Sequence, residues 1–129
     1  MLWKQLAQQE ELLTELDRKI EDQTRPFVAE IDRLDAVPGV DCRVAEVVLA
    51  EVGADMKPFP THENLASWAE MCPGNEESAG KRQRRRITPG NRWLKRTLAQ
   101  AAWAASRTKN GYLASQYRRL AGHRGRKRA

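Results

Sequence analysis

The sequence predicts an all-α protein: a long N-terminal coiled-coil helix, then a compact helical domain with a basic loop and a basic C-terminal tail. Apolar residues recur at helical spacing along most of the chain, and glycine and proline stand where helices would end. The charge is divided sharply between the two ends. No apolar run approaches the ~20 residues of a membrane-spanning helix, so no membrane partner is expected.

The charge division indicates what kind of partner the protein has. All 17 Asp and Glu residues lie at or before Glu77, with seven Lys and Arg, so residues 1–80 have a net charge of −10. Residues 81–129 contain the other sixteen Lys and Arg and no acidic residue. Uncompensated positive charges repel one another unless a polyanion offsets them. The pattern therefore favours a phosphate-backbone partner over a merely soluble basic surface.

Residues 1–33 are predicted to form a coiled-coil arm. An apolar residue recurs there every seven positions and on into the next segment: Leu6, Leu13, Ile20, Phe27 and Leu34. Pro26 should kink or restart the helix, with Thr24 as its cap. Two interpretations remain open, because the same pattern suits pairing with a second copy as a homo-oligomer or folding back onto the chain's own domain.

Residues 34–121 are predicted to form the helical domain, and its first part has the sequence shape of a helix-hairpin-helix. Pro38 and Gly39 predict a tight turn, Asp41 can cap the next helix, and Gly53 can end it. The apolar face of that helix is predicted to be Val44, Val47, Val48 and Val52. Hairpin amides of this kind can hold a DNA phosphate, but the carboxylate of Asp41 would compete for them. The hairpin is as consistent with a scaffold as with a DNA contact.

Three more helices are predicted beyond the hairpin. Thr61 caps a short one, a loop covers residues 75–89, a helix follows from Asn91 to Arg107, and the last begins at Tyr112. The long helix should bury one face, consisting of Leu94, Leu98, Ala101, Ala102 and Ala105. Trp93 and Trp103 are interpreted as core or packing-edge residues, with base stacking as the alternative. Residues 122–129 form the basic tail.

The densest basic stretch runs from Ser78 to Lys95 and contains no carboxylate. Unpaired charges of this number cannot be buried, so the stretch must face solvent or a polyanion. The candidate nucleic-acid-binding residues are Lys81, Arg82, Arg84, Arg85, Arg86, Arg92, Lys95 and Arg96.

The cysteines give no sign of a metal site. Cys42 and Cys72 stand thirty residues apart without metal-ligand spacing, and we interpret both as small core residues of a protein in a reducing interior. The expected location is cytoplasmic and nucleoid-associated.

Three blocks of the chain together resemble a known family. These are PGV followed by AEVVLAEVG, then FPTHENLASWAEMCPG, then SAGKRQRRRITPGNRWLKRTLAQAAWAA. In order, spacing and residue type they resemble the C-terminal transposase domain of the IS110/IS116 type of insertion-sequence transposases, over roughly residues 34–121. That resemblance implies a bridge-RNA-guided recombinase, with DNA and a guide RNA as partners and DNA transposition as the function.

The resemblance also points to Ser78 as a nucleophile that attacks a DNA phosphodiester. The family loop reads approximately Ser-Gly-Gly-Lys, then basic residues, then Ile-Ser-x-x-Gly-Asn. It falls here on Ser78, Gly80, Lys81, Ile87, Gly90 and Asn91, with Ala79 and Thr88 as departures. Asn91 thereby joins the candidate nucleic-acid-binding residues. Neighbouring cations would stabilise the transition state, although no His or Asp in the loop can activate the serine.

In the family, Mg²⁺ is held by the acidic tetrad of a RuvC-like domain that precedes the domain resembled here. We find no such pattern in this sequence, so Mg²⁺ is expected in a separate domain and no cofactor or metal in this chain. We interpret the chain as the C-terminal part of a transposase, inactive in cleavage by itself. The alternative hypothesis is a non-catalytic helical nucleic-acid-binding protein in which Ser78 only shapes a loop.

Overall fold

The computed structural model describes residues 1–72 and 90–126, and the backbone alone of residues 75–78 and 81–84. The helices are α1 (Leu2–Thr24), α2 (Val28–Asp35), α3 (Cys42–Val52), α4 (His62–Trp68), α5 (Arg92–Arg107) and α6 (Tyr112–Arg124). A 3-10 turn (Arg25–Phe27) joins α1 to α2, and the short strands β1 (Asn75–Ser78) and β2 (Lys81–Arg84) form one antiparallel pair. The all-α class is confirmed, with this small ladder inside the predicted loop. No helix in the described ranges is long and apolar enough to cross a bilayer.

Four helices of the domain pack in successive pairs: α2 against α3, α3 against α5, and α5 against α6. The core is small and rich in alanine, which lets helix backbones approach closely. Its buried side chains are Ile31, Ala45, Ala69, Leu94, Ala101, Ala105 and Ala114. The buried face predicted for α5 is therefore confirmed at three positions, whereas Leu98 is half-buried and Ala102 is exposed.

The arm is interrupted where Pro26 was expected to break it, because the 3-10 turn separates α1 from α2 there. Thr24 does not cap the second helix as predicted. Its hydroxyl instead donates to the carbonyl oxygen of Ile20 at 2.9 Å. No residue of α1 is buried, and Leu13 is 61% exposed. The heptad stripe thus lies at the surface of a single chain.

The arm nevertheless lies beside the domain. Asp17 of α1 pairs with Arg43 of α3 at 2.5 Å, and the two helices enclose an open cleft of about 400 Å³ lined by Leu16, Ile20 and Val47. Both sequence interpretations of the arm therefore keep a structural basis. One end is tied to its own domain, and most of the apolar stripe remains exposed.

The Pro38–Gly39 turn packs closely against α5. Gly39 has φ +87°, and a Cβ there would lie 2.2 Å from the carbonyl oxygen of Ala101 and 2.6 Å from the amide of Ala105, both in α5. Asp41 caps α3 as predicted, since its carboxylate accepts from the amide of Val44 at 2.8 Å. That bond occupies an amide that a phosphate would need. The geometry of the turn supports the scaffold interpretation.

Some predictions of burial are wrong or hold only in part. Trp93 and Trp103 are 68% and 59% exposed, so neither is a core residue, although Trp103 lies at a packing edge beside Tyr117. Cys42 is also exposed, and α3 buries Ala45 most deeply, while Val47 of its predicted apolar face is exposed. For the tryptophans the reason is geometric, because close helix contacts made by alanines leave no room for an indole ring between the helices. Helix α6 also runs on to Arg124, into the segment that the sequence assigned to the basic tail.

Gly39→Ala should destabilise the fold more than Gly53→Ala. Both residues have positive φ, at +87° and +81°, so either alanine costs about 1–3 kcal/mol of backbone strain. A Cβ at Gly53 meets nothing within 4 Å, whereas at Gly39 it overlaps the backbone of α5. The overlap should add about 1–3 kcal/mol to the Gly39 variant alone. Urea unfolding followed by circular dichroism measures both, and equal losses would show that the close contact with α5 does not matter.

Candidate nucleic-acid interface

The backbone of the basic loop forms the β1–β2 ladder. Ser78, the last residue of β1, pairs with Lys81, the first residue of β2. Arg82 and Arg84 also lie on β2. The structure describes the backbone but not the side chains of these four candidates. Arg85 and Arg86 lie outside the described residues.

Asn91 is committed to contacts within the protein. It is the N-cap of α5, where its side-chain oxygen accepts from the amide of Leu94 at 2.9 Å. Its side-chain nitrogen donates to the carboxylate of Glu51 in α3 at 2.5 Å. An N-cap satisfies a helix amide that would otherwise lack a partner. In this geometry Asn91 positions α5 on α3.

Glu70 also contacts residues at the N-terminal end of α5. One carboxylate oxygen accepts from the amide of Gly90 at 2.6 Å, and the other pairs with the ammonium of Lys95 at 3.2 Å. The hydrogen bond from Gly90, together with Lys95, holds the pKa of Glu70 below its ordinary value. Gly90 allows this approach, since a Cβ there would lie 2.4 Å from the carbonyl oxygen of Trp68. Lys95 is therefore partnered, although sequence reasoning placed it on the nucleic acid.

The face of α5 opposite its buried side is a basic stripe, which we define as Arg92, Arg96 and Arg107. These residues are separated by four and eleven positions, so they share one face of the helix. All three are exposed, and the stripe runs about 22 Å along the helix axis at ~1.5 Å per residue. Trp93 lies beside its first turn and, with Arg92 and Arg96, lines a shallow cavity of about 380 Å³.

A second feature, the α5–α6 groove, opens beside the C-terminal end of the stripe. Its cavity of about 600 Å³ is lined mainly by aromatic and basic residues: Trp103, Arg107, Tyr117, Arg118, Gly122 and Arg126. The rings of Trp103 and Tyr117 are 6.5 Å apart between centroids, and the guanidinium of Arg107 lies 5.5 Å from the centre of the Trp103 ring.

Sequence reasoning did not assign this groove to a site. Only the packing of α5 on α6 brings Trp103 to Tyr117. The signal that the sequence did contain is the four-residue spacing of Trp103 and Arg107, which places the two side chains on one face of a helix.

The electrostatics of this region are one-sided. Residues 90–126 contain nine basic residues and no Asp or Glu: Arg92, Lys95, Arg96, Arg107, Lys109, Arg118, Arg119, Arg124 and Arg126. Within the described part of the chain, Lys95 is the one member of this group that forms an ion pair with a carboxylate. The other eight leave a positive potential along α5 and α6 that would attract a polyanion.

The described residues do not assemble a metal site, because no three His, Cys, Asp or Glu side chains among them converge.

Comparison with known proteins identifies one similarity. A family model described as "Transposase IS116/IS110/IS902 family" matches residues 31–118, a range from α2 through the first half of α6. It thus includes the hairpin, the basic ladder and the whole basic stripe. Neither a curated protein nor a solved structure matches the chain.

Proposed function

This chain belongs to the Transposase IS116/IS110/IS902 family, and from that membership we propose that it is the DNA-binding C-terminal part of an insertion-sequence transposase. The observation that supports DNA binding most directly is the basic stripe. Its three arginines stand on one exposed helix face with no acidic residue in α5 or α6 to neutralise them.

The dimensions of the stripe suit a DNA backbone. About 22 Å of helix corresponds to the rise of roughly six base pairs at ~3.4 Å each. Arginine binds phosphate through paired N–H groups, and such contacts position a protein on DNA without reading its sequence. The amide and carboxylate contacts of Asn91 and Glu70 hold the first turn of α5 in place. In this proposal Asn91 and Lys95 position the interface, and Arg92 and Arg96 contact phosphates.

Arg92→Ala combined with Arg96→Ala should weaken binding to any DNA duplex. Two lost phosphate contacts should lower the slope of log affinity against log salt by about 1.8, since each contributes ~0.9 on B-DNA. Fluorescence anisotropy with two duplexes of unrelated sequence measures both quantities.

The matched control is Arg18→Ala with Arg33→Ala, which removes the same charge from exposed positions of α1 and α2. An equal loss in the control would show that net charge, rather than the stripe, governs affinity. A loss on only one duplex would indicate base readout instead.

The second part of the proposal concerns chemistry. Ser78 is proposed to attack a DNA phosphodiester, so that its oxygen bonds to phosphorus and one ester oxygen leaves with the strand. The backbone register supports this, because it pairs Ser78 with Lys81 at the start of the basic run. A nearby cation would stabilise charge that develops on the phosphate. When bound in a separate RuvC-like domain, Mg²⁺ would activate the nucleophile.

Ser78→Ala should abolish a covalent protein–DNA adduct. The chain is mixed with a matching RuvC-like domain, guide RNA and DNA, and the products are separated on a denaturing gel. Ser115→Ala, an exposed serine of α6, is the control and should leave the adduct intact. An adduct that survives Ser78→Ala would exclude Ser78. DNA binding without any adduct from the unsubstituted chain would favour the alternative, a non-catalytic nucleic-acid-binding protein.

The third part of the proposal is self-association through the arm, with guide RNA as a further partner of the basic half. The exposed heptad stripe supports pairing, because apolar side chains at this spacing are stabilised when a second helix covers them. The ion pair of Asp17 with Arg43 leaves the N-terminal half of α1 available for such pairing.

Leu6→Asp combined with Leu13→Asp should convert an oligomer to a monomer, because both exposed leucines lie in the N-terminal half of α1, where pairing would bury the unpaired carboxylates. Sedimentation velocity measures the change. The control is Gln8→Asp, on the opposite face of α1. This variant should have the same sedimentation coefficient as the unsubstituted chain. If the double variant also leaves it unchanged, the arm does not mediate pairing.

A further inference from the structure

We propose that the α5–α6 groove binds an unpaired base of single-stranded DNA. The inference rests on the proposed function and deepens it, since it assigns to the groove a form of DNA that the basic stripe does not select. It depends on an arrangement of aromatic and guanidinium groups in one cavity, next to phosphate-binding charge.

The groove combines the two groups that single-stranded nucleic acids require. Arg107, Arg118 and Arg126 line it, and none of the lining residues that the structure describes is a carboxylate, so its charge complements a phosphate backbone. Trp103 and Tyr117 supply aromatic surface, on which bases stack irrespective of their sequence. A cavity of about 600 Å³ exceeds what one base needs and leaves room for its sugar and phosphate.

The geometry indicates where a base would stack. The rings of Trp103 and Tyr117 are inclined at 53° with centroids 6.5 Å apart, so a flat base does not fit between them. The exposed ring surface of Trp103 is the platform, and Tyr117 forms a wall beside it. Arg107 lies over the Trp103 ring, and its planar guanidinium can itself stack on a base. The Nε of Arg118 donates to the carbonyl oxygen of Ala114 at 3.2 Å, which fixes that side chain along α6.

Gly122 keeps this groove open. It lines the cavity in the last turn of α6, two residues before the helix ends. A Cβ there would meet nothing within 4 Å, so the fold does not require a glycine at this position. Gly122→Leu is therefore expected to place its side chain in the groove without a clash at the Cβ.

Base pairing decides which form of DNA the groove accepts. In a duplex both faces of each base are covered by its neighbours, so only an unpaired base offers a face to Trp103. Phosphate contacts along the basic stripe do not make this distinction. The groove therefore adds a preference for single strands, such as those exposed when strands are cut and exchanged.

The test compares single-stranded oligo(dT) of about 16 nucleotides with a duplex of equal length, using anisotropy on the full chain. Trp103→Ala should weaken binding to the single strand about tenfold and leave duplex affinity within about twofold. Gly122→Leu should do the same by filling the groove. Gly122→Ala is its matched control and should bind both probes as the unsubstituted chain does. Circular dichroism establishes that each variant is folded.

The outcomes separate this inference from the proposed function. Duplex binding that depends on Arg92 and Arg96, with single-strand affinity unaffected by Trp103→Ala and Gly122→Leu, would overturn the groove and leave the proposed function intact. Absence of binding to either probe would overturn both. An oligo(U) strand that binds more tightly than oligo(dT), with the same dependence on Trp103, would overturn single-stranded DNA as the ligand in favour of RNA.

Discussion

Two carboxylates from the acidic half of the chain hold the start of α5, and the placement of the basic face depends on them. Glu51 of α3 accepts from the side chain of Asn91, and Glu70 accepts from the amide of Gly90 and pairs with Lys95. Hydrogen bonds to ionised groups are among the stronger ones available to a protein. Residue 70 adopts a left-handed backbone (φ +58°), which a residue with a Cβ disfavours, and its carboxylate contacts offset that strain.

As a consequence, different parts of α5 have different roles. The first turn of α5 is fixed by residues that look, in the sequence, like part of the basic run. On its buried side, Ala101 and Ala105 lie against Gly39, and the helix packs on both α3 and α6. With both of these contacts made, rotation of the helix is no longer free, and Arg92, Arg96 and Trp103 must face outward. The Pro38–Gly39 turn, whose sequence resembles a DNA-binding hairpin, lies against the buried side of the helix that carries this outward face.

This arrangement connects the small alanine core to the chemistry proposed for the protein. Alanines let α5 lie close to α6, so their aromatic and basic side chains are displaced to the rim of the interface instead of its centre. There they form a groove with both π surface and positive charge. A core of larger side chains would separate the helices and cover these rings. The same alanines therefore account for both the close packing of the helices and the exposure of the α5–α6 groove.

The sequence by itself determined the fold class, the helix ends at Asp41, Gly53, Thr61 and Asn91, the break at Pro26, and the division of charge. These follow from local periodicity and capping, which depend on residues close together in the chain. The tertiary structure decided that Asn91 and Lys95 have partners within the protein and that Trp103 faces solvent beside Tyr117. Those facts depend on Glu51, Glu70 and α6, which lie far from them in sequence, and no local pattern encodes which distant carboxylate reaches a given donor.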